Sequence, residues 1–393
     1  MDKGFSPKYR NVLVVRFSAL GDVAMTVPVL YSVCRANPST RFIIATQQVA
    51  STLFINTPDN LVVLGVDTKV KYHGIGGMLK LKNNLLSTYD IDAVADLHDV
   101  FRTWVLGAFF KLVGIPYFRL KKGRSGKRAL TRKHNKRMLP LISSRARYRE
   151  VFYRMGFSFE DTFSSLFGSA KAPTEAFAEI TAPKPDGVKW IAIAPFAKHQ
   201  GKIYPLDLME KLVETLSARE KTHIFLLGAG DKERPVLRRL ADTYPNVTTL
   251  ADKRNGFPKE LALLNHCDVM LSMDSVNMHL ASLVQLTVVS VWGATHPYCG
   301  NMGWHQEEKN AVQLNMACRP CSVIGDKPCM YHDYFCLKGI SPNLIISHLD
   351  KVLNYNRKNE MSIFQKRNEQ IFSFFASFFL WLFRLLKHQL NAD

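Results

Sequence analysis

The first group of residues that could do chemistry, Ser18-Ala19-Leu20-Gly21-Asp22, directly follows an apolar run at 11–17 that is typical of a β-strand. We expect Gly21 to allow a close turn where this strand ends. The carboxylate of Asp22 then stands at the start of the next helix. It can cap that helix by accepting hydrogen bonds from backbone N–H groups, or it can project into the crevice where α/β domains bind substrates. The local sequence leaves both roles open.

The second group lies between residues 269 and 297. Asp274 and Ser275 end a predicted strand and open a predicted helix, so backbone N–H groups and the positive end of the helix dipole form an anion site. His279 follows Ser275 by four residues and shares its helix face. With Lys202, from the loop after another predicted strand, these side chains could bind a diphosphate. Taken alone, Asp274 and Ser275 would be an ordinary cap and His279 a packed histidine.

The sequence contains few of the known nucleotide-binding and metal-binding motifs. The chain contains no Walker A motif and no spaced G-x-G-x-x-G, which argues against an obvious NTPase or dehydrogenase. The Asp-x-Asp sequence at 90–92 is explained by chance and surface polarity. Four of the seven cysteines cluster late in the chain and could hold a structural zinc or could pack as thiols in a loop; they are Cys318, Cys321, Cys329 and Cys336. We expect no cofactor and no metal at the candidate site.

The elements that must position these residues alternate between strands and helices. Buried strands are predicted at 11–17, 41–46, 61–66 and 91–97, and again at 190–195, 222–230, 247–251, 268–274 and 287–293. This rhythm predicts an α/β chain of two Rossmann-like, doubly wound domains that face a cleft. We place the domains at 1–168 and 188–345, a linker at 169–187, and a tail at 346–393.

Composition and charge limit the function classes. The 393 residues are 47% apolar and 22% charged, which excludes a disordered, collagen-like or disulfide-stapled protein. The net charge is +19, and the segment 119–137 holds ten Lys and Arg and no acid. We call this the basic segment. It could attract phosphates on a lipid, nucleic acid or glycan, or it could be a solvated loop. Since no nucleic-acid module accompanies it, we expect no nucleic-acid partner.

The two ends of the chain indicate where in the cell the protein works. The N-terminal apolar run is too short for a signal peptide, and an odd number of cysteines, seven, favours a reducing compartment, so we expect a cytoplasmic protein. Near the other end, 371–383 is 13 uncharged residues long, too short to span a bilayer. As a helix over 371–386 it would be amphipathic, with Trp381 near lipid headgroups. A terminal helix packed on the protein is the alternative.

Three motifs resemble glycosyltransferase family 9, the heptosyltransferases of lipopolysaccharide core assembly. They are VRFSALGDVAMTVPVL (15–30), KIYP (202–205) and the DSVNMHLAS…TVVSVWGATHP stretch, within a resemblance that runs from about residue 11 to 345. The family implies a GT-B fold, with the acceptor on the N-terminal domain and an ADP-sugar on the C-terminal domain. It also implies metal-independent transfer with inversion. Val276 stands where glycine is common in the family, and His296 where an acid is common.

The resemblance also implies roles for individual residues. Asp22 resembles the catalytic base and Lys202 the catalytic lysine at the donor phosphates, while Gly21, Asp274, Ser275 and His279 would bind the donor. We assign the anionic acceptor to Arg119, Lys121, Lys122, Arg124, Lys127 and Arg128 of the basic segment.

The resulting hypothesis is an enzyme that moves a heptose-like sugar from a nucleotide-sugar donor, ADP-heptose, to a lipopolysaccharide core or related lipid-linked glycan. It would work at the inner membrane surface as a peripheral, cytoplasmic protein. One alternative is a nucleotide-sugar epimerase of the same two-domain form. The other is a non-catalytic membrane-binding protein.

Overall fold

The computed structural model describes residues 8–252 and 255–354. The chain forms two compact units, Met1–Ile346 and Ser347–Asp393. Both sheets and every candidate site residue lie in the first unit. In the second unit the described residues, 347–354, are helical. The predicted tail helix at 371–386 lies outside the described residues.

The first half of the larger unit is built on a five-stranded parallel sheet in the order β3-β2-β1-β4-β5. Its strands are β1 (Asn11–Val15), β2 (Arg41–Thr46), β3 (Leu61–Gly65), β4 (Ala93–Asp96) and β5 (Tyr117–Arg119). Its helices are α1 (Leu20–Ala24), α2 (Val27–Ala36), α3 (Gln48–Ser51), α4 (Gly74–Thr88), α5 (Phe101–Leu112), α6 (Arg124–Thr131) and α7 (Ser144–Met155). The central strands are buried on both faces, which explains their continuous apolar sequences.

The second half holds a six-stranded parallel sheet in the order β11-β10-β9-β6-β7-β8. Its strands are β6 (Lys189–Ala194), β7 (Thr222–Leu226), β8 (Val247–Thr249), β9 (Val269–Met273), β10 (Val288–Val291) and β11 (Ala311–Val312). Its helices are α8 (Leu206–Ser217), α9 (Arg234–Thr243), α10 (Phe257–His266), α11 (Val276–Leu283) and α12 (Phe335–Lys338), and residues 342–346 are also helical. Two parallel sheets of doubly wound topology confirm the predicted fold class, with GT-B as its architecture.

The strand orders explain where the candidate residues gather. In each sheet the order reverses between two central strands, β1 and β4 in the first and β6 and β9 in the second. Crevices at the carboxyl ends of such neighbours are the usual ligand sites of doubly wound sheets. Asp22 follows β1, Lys202 follows β6 and Asp274 follows β9.

The first helix differs from its prediction. The sequence predicts a single helix from Asp22 to Ala36, but α1 ends at Ala24 and α2 begins at Val27. Pro28 lies in the first turn of α2, where its missing N–H costs least. Gly21 belongs to α1 and has no left-handed backbone angle, so the predicted close turn at this glycine is wrong. Strands β5 and β11, three and two residues long, were not predicted.

One apolar core cluster continues from the first half into the second, from Val23 in α1 to Met278 in α11. The segment 169–187, expected as a linker, packs against the second half. Phe177 is fully buried there, with ring centroids 6.0 Å from Trp190 and 5.0 Å from His266. Within the described ranges, we find no helix that combines the length and the apolar character needed to cross a membrane.

Candidate active site

Helix α1 presents the candidate base. Its N-cap residue is Ala19, and Asp22 takes part in capping from three residues further on, by accepting a hydrogen bond from the Ala19 backbone N. Asp22 lies in the first turn, where its Oδ2 atom accepts a 3.4 Å hydrogen bond from the backbone N of Ala19 and forms an ion pair with Arg16. The Asp22 side chain is 37% exposed. Both contacts use the Oδ2 atom of the carboxylate.

Sequence reasoning missed Arg16, the residue directly after β1, and also His98, which is described below. The Arg16 side chain is 6% exposed, and its Nη1 donates a 2.6 Å hydrogen bond to the carbonyl of Leu97. Burial alone would lower the pKa of Arg16, but Tyr148 and Asp22 raise it above its ordinary value. Arg16 is therefore a fixed cation beneath Asp22. The signal available in the sequence was a charged residue directly after the apolar residues 12–15.

The turn after β4 brings a histidine to the same place. Asp96 organises this turn by accepting hydrogen bonds from the backbone N atoms of His98 (2.8 Å) and Asp99 (3.0 Å). His98 is 8% exposed, and its Nδ1 has no hydrogen-bond partner among the described residues. Burial, together with the charges of Arg16 and Lys122, lowers the pKa of His98 to about 3. The imidazole is therefore neutral beside the Arg16 guanidinium.

In the second half, the candidate phosphate lysine is held by the candidate aspartate. Lys202 Nζ lies 3.0 Å from Asp274 Oδ2, and the two side chains are 14% and 5% exposed. The same oxygen accepts a 2.8 Å hydrogen bond from Thr295 Oγ1. The Lys202 stem packs so closely on Gly325 that a Cβ at this glycine would overlap it. Lys202 is thus fixed at the carboxyl ends of β6 and β9.

Helix α11 begins beside this pair, with Ser275 as its N-cap residue in an extended conformation. The hydroxyls of Ser275 and Ser272 lie 3.3 Å apart. His279 is 7% exposed, and its Nδ1 has no hydrogen-bond partner among the described residues. Burial lowers the pKa of His279 to about 4, while the negative charges of Asp274 and Asp22 act in the opposite direction. His279 is therefore a neutral imidazole between the carboxylates of the two halves.

The first turns of α1 and α11 touch at Gly21. A Cβ on Gly21 would lie 3.0 Å from His279 Cδ2 and 3.6 Å from Val276 Cα. Glycine at position 21 therefore permits two helices to approach, and this contact places Asp22 next to His279. Val276, where the family commonly has glycine, is the first residue of α11 and packs partly buried against the core.

The first residues of the basic segment surround the buried carboxylate of Asp99. Asp99, 3% exposed, lies 3.3 Å from Arg119 Nε and 3.1 Å from Arg124 Nη2. Lys122 Nζ donates a 2.6 Å hydrogen bond to the backbone carbonyl of Asp99. Three of the six residues assigned to the acceptor are thus gathered at one point, where their positive charge exceeds that of the single acid.

The remaining three residues are distributed differently. Lys127, in α6, is half-buried and close enough to Asp22 for their charges to interact: burial and Arg147 lower the pKa of Lys127, and Asp22 opposes this. Lys121 and Arg128 are exposed. The structure therefore brings Lys127 towards the candidate base and leaves Lys121 and Arg128 at the surface.

The basic segment also reaches the late cysteine loop. Lys136 Nζ donates 2.7 Å hydrogen bonds to the carbonyls of Cys318 and Pro320. Arg319, buried between them, donates to the carbonyls of Gly293, Trp292 (3.0 Å) and Thr295 (2.8 Å) and so fixes the loop after β10. In residues 8–252 and 255–354, no three His, Cys, Asp or Glu side chains are arranged to hold a metal ion, the four late cysteines included.

His296 and the Asp-x-Asp sequence have structural partners. His296 Nδ1 accepts a 3.0 Å hydrogen bond from the backbone N of Tyr298 and caps a short helical turn. Asp92 Oδ2 accepts hydrogen bonds from the backbone N atoms of Arg10 (2.6 Å) and Asn11 (2.8 Å), at the amino end of β1 and away from Asp22. The Asp-x-Asp sequence therefore adds no group to the site.

The arrangement brings together a half-exposed carboxylate, a held ammonium, a neutral imidazole and a helix N-terminus. A carboxylate that accepts a proton, opposite a group of anion-stabilising donors, suits the displacement of a phosphate leaving group by a hydroxyl.

Comparison with known proteins gives an independent view of the chain. Residues 78–332 match the family model for glycosyltransferase family 9 (heptosyltransferase). Lipooligosaccharide heptosyltransferase 2 of Campylobacter jejuni is 22% identical over 338 residues, which cover 85% of this chain and 96% of that protein.

Solved structures share the fold. A family 9 glycosyl transferase from Veillonella parvula superposes with a TM-score of 0.66 at 15% identity, covering 88% of this chain and 98% of that one. Escherichia coli heptosyltransferase WaaC with ADP gives 0.60 at 18% identity, covering 87% and 99%. The same enzyme with ADP-2-deoxy-2-fluoro heptose gives 0.58 at 16% identity, covering 87% and 99%.

Proposed function

The chain belongs to glycosyltransferase family 9, the heptosyltransferase family, and from that premise we propose that it transfers a heptose from ADP-heptose to an anionic, lipid-linked core glycan with inversion and without a metal ion. The observation that carries the proposal is the contact between α1 and α11. It sets the carboxylate of Asp22 beside His279 and the Lys202–Asp274 pair, so that a proton acceptor and an anion site meet.

On the acceptor side, Asp22 acts as the general base. Arg16 holds Oδ2, and Oδ1 takes the proton of the acceptor hydroxyl as that oxygen attacks the anomeric carbon. Attack from the face opposite the nucleotide gives inversion in one displacement, through a transition state with oxocarbenium character. Lys127 and the residues around Asp99 supply positive charge to hold an anionic acceptor near this carboxylate.

On the donor side, the bond that breaks leaves a nucleotide diphosphate with growing negative charge. Lys202 and the backbone N–H groups at the start of α11 stabilise that charge more in the transition state than in the ground state. His279 is neutral because burial lowers its pKa to about 4, so it can donate a hydrogen bond without charge. These groups together provide the electrostatic stabilisation that a metal ion supplies in metal-dependent transferases.

The donor and acceptor identities rest on relatives. WaaC of E. coli has been solved with ADP-2-deoxy-2-fluoro heptose, and the relative from C. jejuni is a lipooligosaccharide heptosyltransferase by name. We propose a cytoplasmic enzyme that acts on the inner membrane surface, held there by the basic segment and by the Phe-rich residues 371–386. Truncation before residue 360 should then release the protein from anionic vesicles without abolishing transfer to a soluble acceptor fragment.

The deciding experiment incubates the full chain with ADP-heptose and a soluble, phosphorylated core fragment in the presence of EDTA. Mass spectrometry should detect heptosylated acceptor and an equal amount of ADP, whereas a UDP-sugar donor should give neither glycosylated acceptor nor UDP. Consumption or isomerisation of the donor without acceptor would favour the epimerase instead. Absence of any reaction with every donor would contradict transfer.

A further inference from the structure

A row of exposed apolar side chains runs along helix α5. Phe101, Trp104, Ala108 and Leu112 are spaced by three, four and four residues, so they share one helix face, which we call the α5 stripe. Phe101 is 68% exposed, Trp104 40% and Leu112 81%. The other face is buried and carries Leu106 and Phe110. A helix with apolar residues on both faces has a second surface to bury.

Positive charge borders the stripe at its N-terminal end. The Arg119 guanidinium lies 5.3 Å from the centre of the Trp104 ring, and Trp104 Nε1 donates a 2.8 Å hydrogen bond to Asp99 Oδ1. Arg124 and Lys122 bind the same aspartate. Two guanidinium groups and one ammonium group around one carboxylate leave a net positive charge next to exposed aromatic surface.

We propose that the α5 stripe is a membrane-docking surface and that its partner is a bilayer with anionic headgroups, an inference that rests on the lipid-linked acceptor of the proposed function. Apolar side chains enter the boundary between headgroups and acyl chains, while neighbouring cations bind the lipid phosphates. Trp104, with a polar edge and an apolar face, suits that boundary. The positive charge beside the α5 stripe favours binding to a membrane with anionic headgroups.

If the protein docks through α5, the active site lies close to the membrane surface. Arg16, which pairs with Asp22, donates a 2.6 Å hydrogen bond to the carbonyl of Leu97, four residues before α5 begins at Phe101. The residue that holds the candidate base is therefore bonded to the turn that leads into the α5 stripe. A lipid-linked acceptor would reach Asp22 while its lipid stays in the bilayer.

The test uses the full chain and vesicles that contain phosphatidylglycerol. The double variant Phe101→Ser, Leu112→Ser changes no charge and should partition onto these vesicles at least about tenfold more weakly, because two exposed side chains lose their burial. A matched control, Leu206→Ser, removes a leucine that is 37% exposed in the second half, and should partition like wild type. Brominated lipids should also quench a fluorescence component that Trp104→Phe removes.

Wild-type partition of the double variant would overturn the proposal, as would an equal loss in the control. If Trp104 is already shielded from iodide without vesicles, another segment or a second copy covers the stripe, and the proposal is wrong. Transfer to a soluble acceptor, measured in parallel, tests the proposed function separately. Its failure with vesicle binding intact would leave the docking surface in place.

Discussion

At the scale of single residues, the donor side depends on two groups that bind negative charge. Lys202→Ala and His279→Ala should each weaken ADP binding and slow transfer by about 10- to 100-fold, since each removes a hydrogen bond to a charged group. Calorimetry with ADP measures the first effect and turnover the second. Lys211→Ala, an exposed lysine of α8, is the control and should behave like wild type. Unchanged affinity in both variants would place the phosphates elsewhere.

Arg16 is the residue whose role is least expected from sequence. Arg16→Lys keeps the positive charge but cannot reach both the Leu97 carbonyl and Asp22 with a planar guanidinium. We expect kcat to fall about tenfold with the affinity for ADP unchanged, because Arg16 positions the base and touches no donor group. Steady-state kinetics, calorimetry and a melting curve on one preparation separate this from a loss of folding. A kcat equal to wild type would remove Arg16 from the mechanism.

At the scale of elements, the contact between α1 and α11 makes a steric prediction. Gly21→Val should lower both transfer and ADP affinity, because even the first added carbon lies 3.0 Å from His279 Cδ2. Gly76→Ala is the matched control: this α4 glycine has open space around it, so alanine should raise the free energy of unfolding by about 0.5–1 kcal/mol. Wild-type activity of Gly21→Val would show that transfer does not depend on the close approach of α1 and α11.

The same elements show what sequence could and could not predict. The strands that lead to Asp22, Lys202 and Asp274 were predictable because buried parallel strands are continuously apolar. Ser275 was predictable as the start of α11, because serine is a common N-cap residue and here follows a predicted strand. The ion pair of Arg16 with Asp22, and the approach of Gly21 to α11, were not predictable, because both depend on which elements lie side by side in three dimensions.

Long-range contacts account for other differences in the same way. The hydrogen bonds from Lys136 to the cysteine loop join residues more than 180 positions apart, so no local sequence pattern predicts them. Asp99 gathers Arg119 and Arg124 from beyond α5. A run of basic residues in sequence is therefore divided in space between two distant sites: Arg119 and Arg124 pair with Asp99, and Lys136 bonds to the cysteine loop.

At the scale of the whole molecule, buried neutral histidines make folding stability depend on pH. Burial lowers the pKa of His98 to about 3 and of His279 to about 4, from an ordinary value of 6.5. At these two side chains the unfolded chain therefore binds more protons between pH 6.5 and 4, and their contribution to the free energy of unfolding falls as pH is lowered through this window, by up to about 1.4 kcal/mol per pH unit for each histidine.

Urea unfolding at a series of pH values tests this dependence. His98→Gln should make the fall in stability below pH 6.5 less steep, since it removes one of the histidines whose pKa is lowered by burial. His134→Gln, which replaces an exposed histidine, should leave the slope unchanged. Equal slopes for wild type and His98→Gln would mean that His98 titrates normally in the folded chain.

The central claim is that Asp22 takes the acceptor's proton while the other half of the molecule holds the nucleotide. Asp22→Asn keeps the size of the side chain and removes its ability to accept that proton. Transfer and ADP affinity, measured on the same preparation of this variant, test the claim most directly. We predict a fall in transfer of about 10²–10⁴-fold with ADP affinity unchanged. Turnover near that of wild type would contradict it.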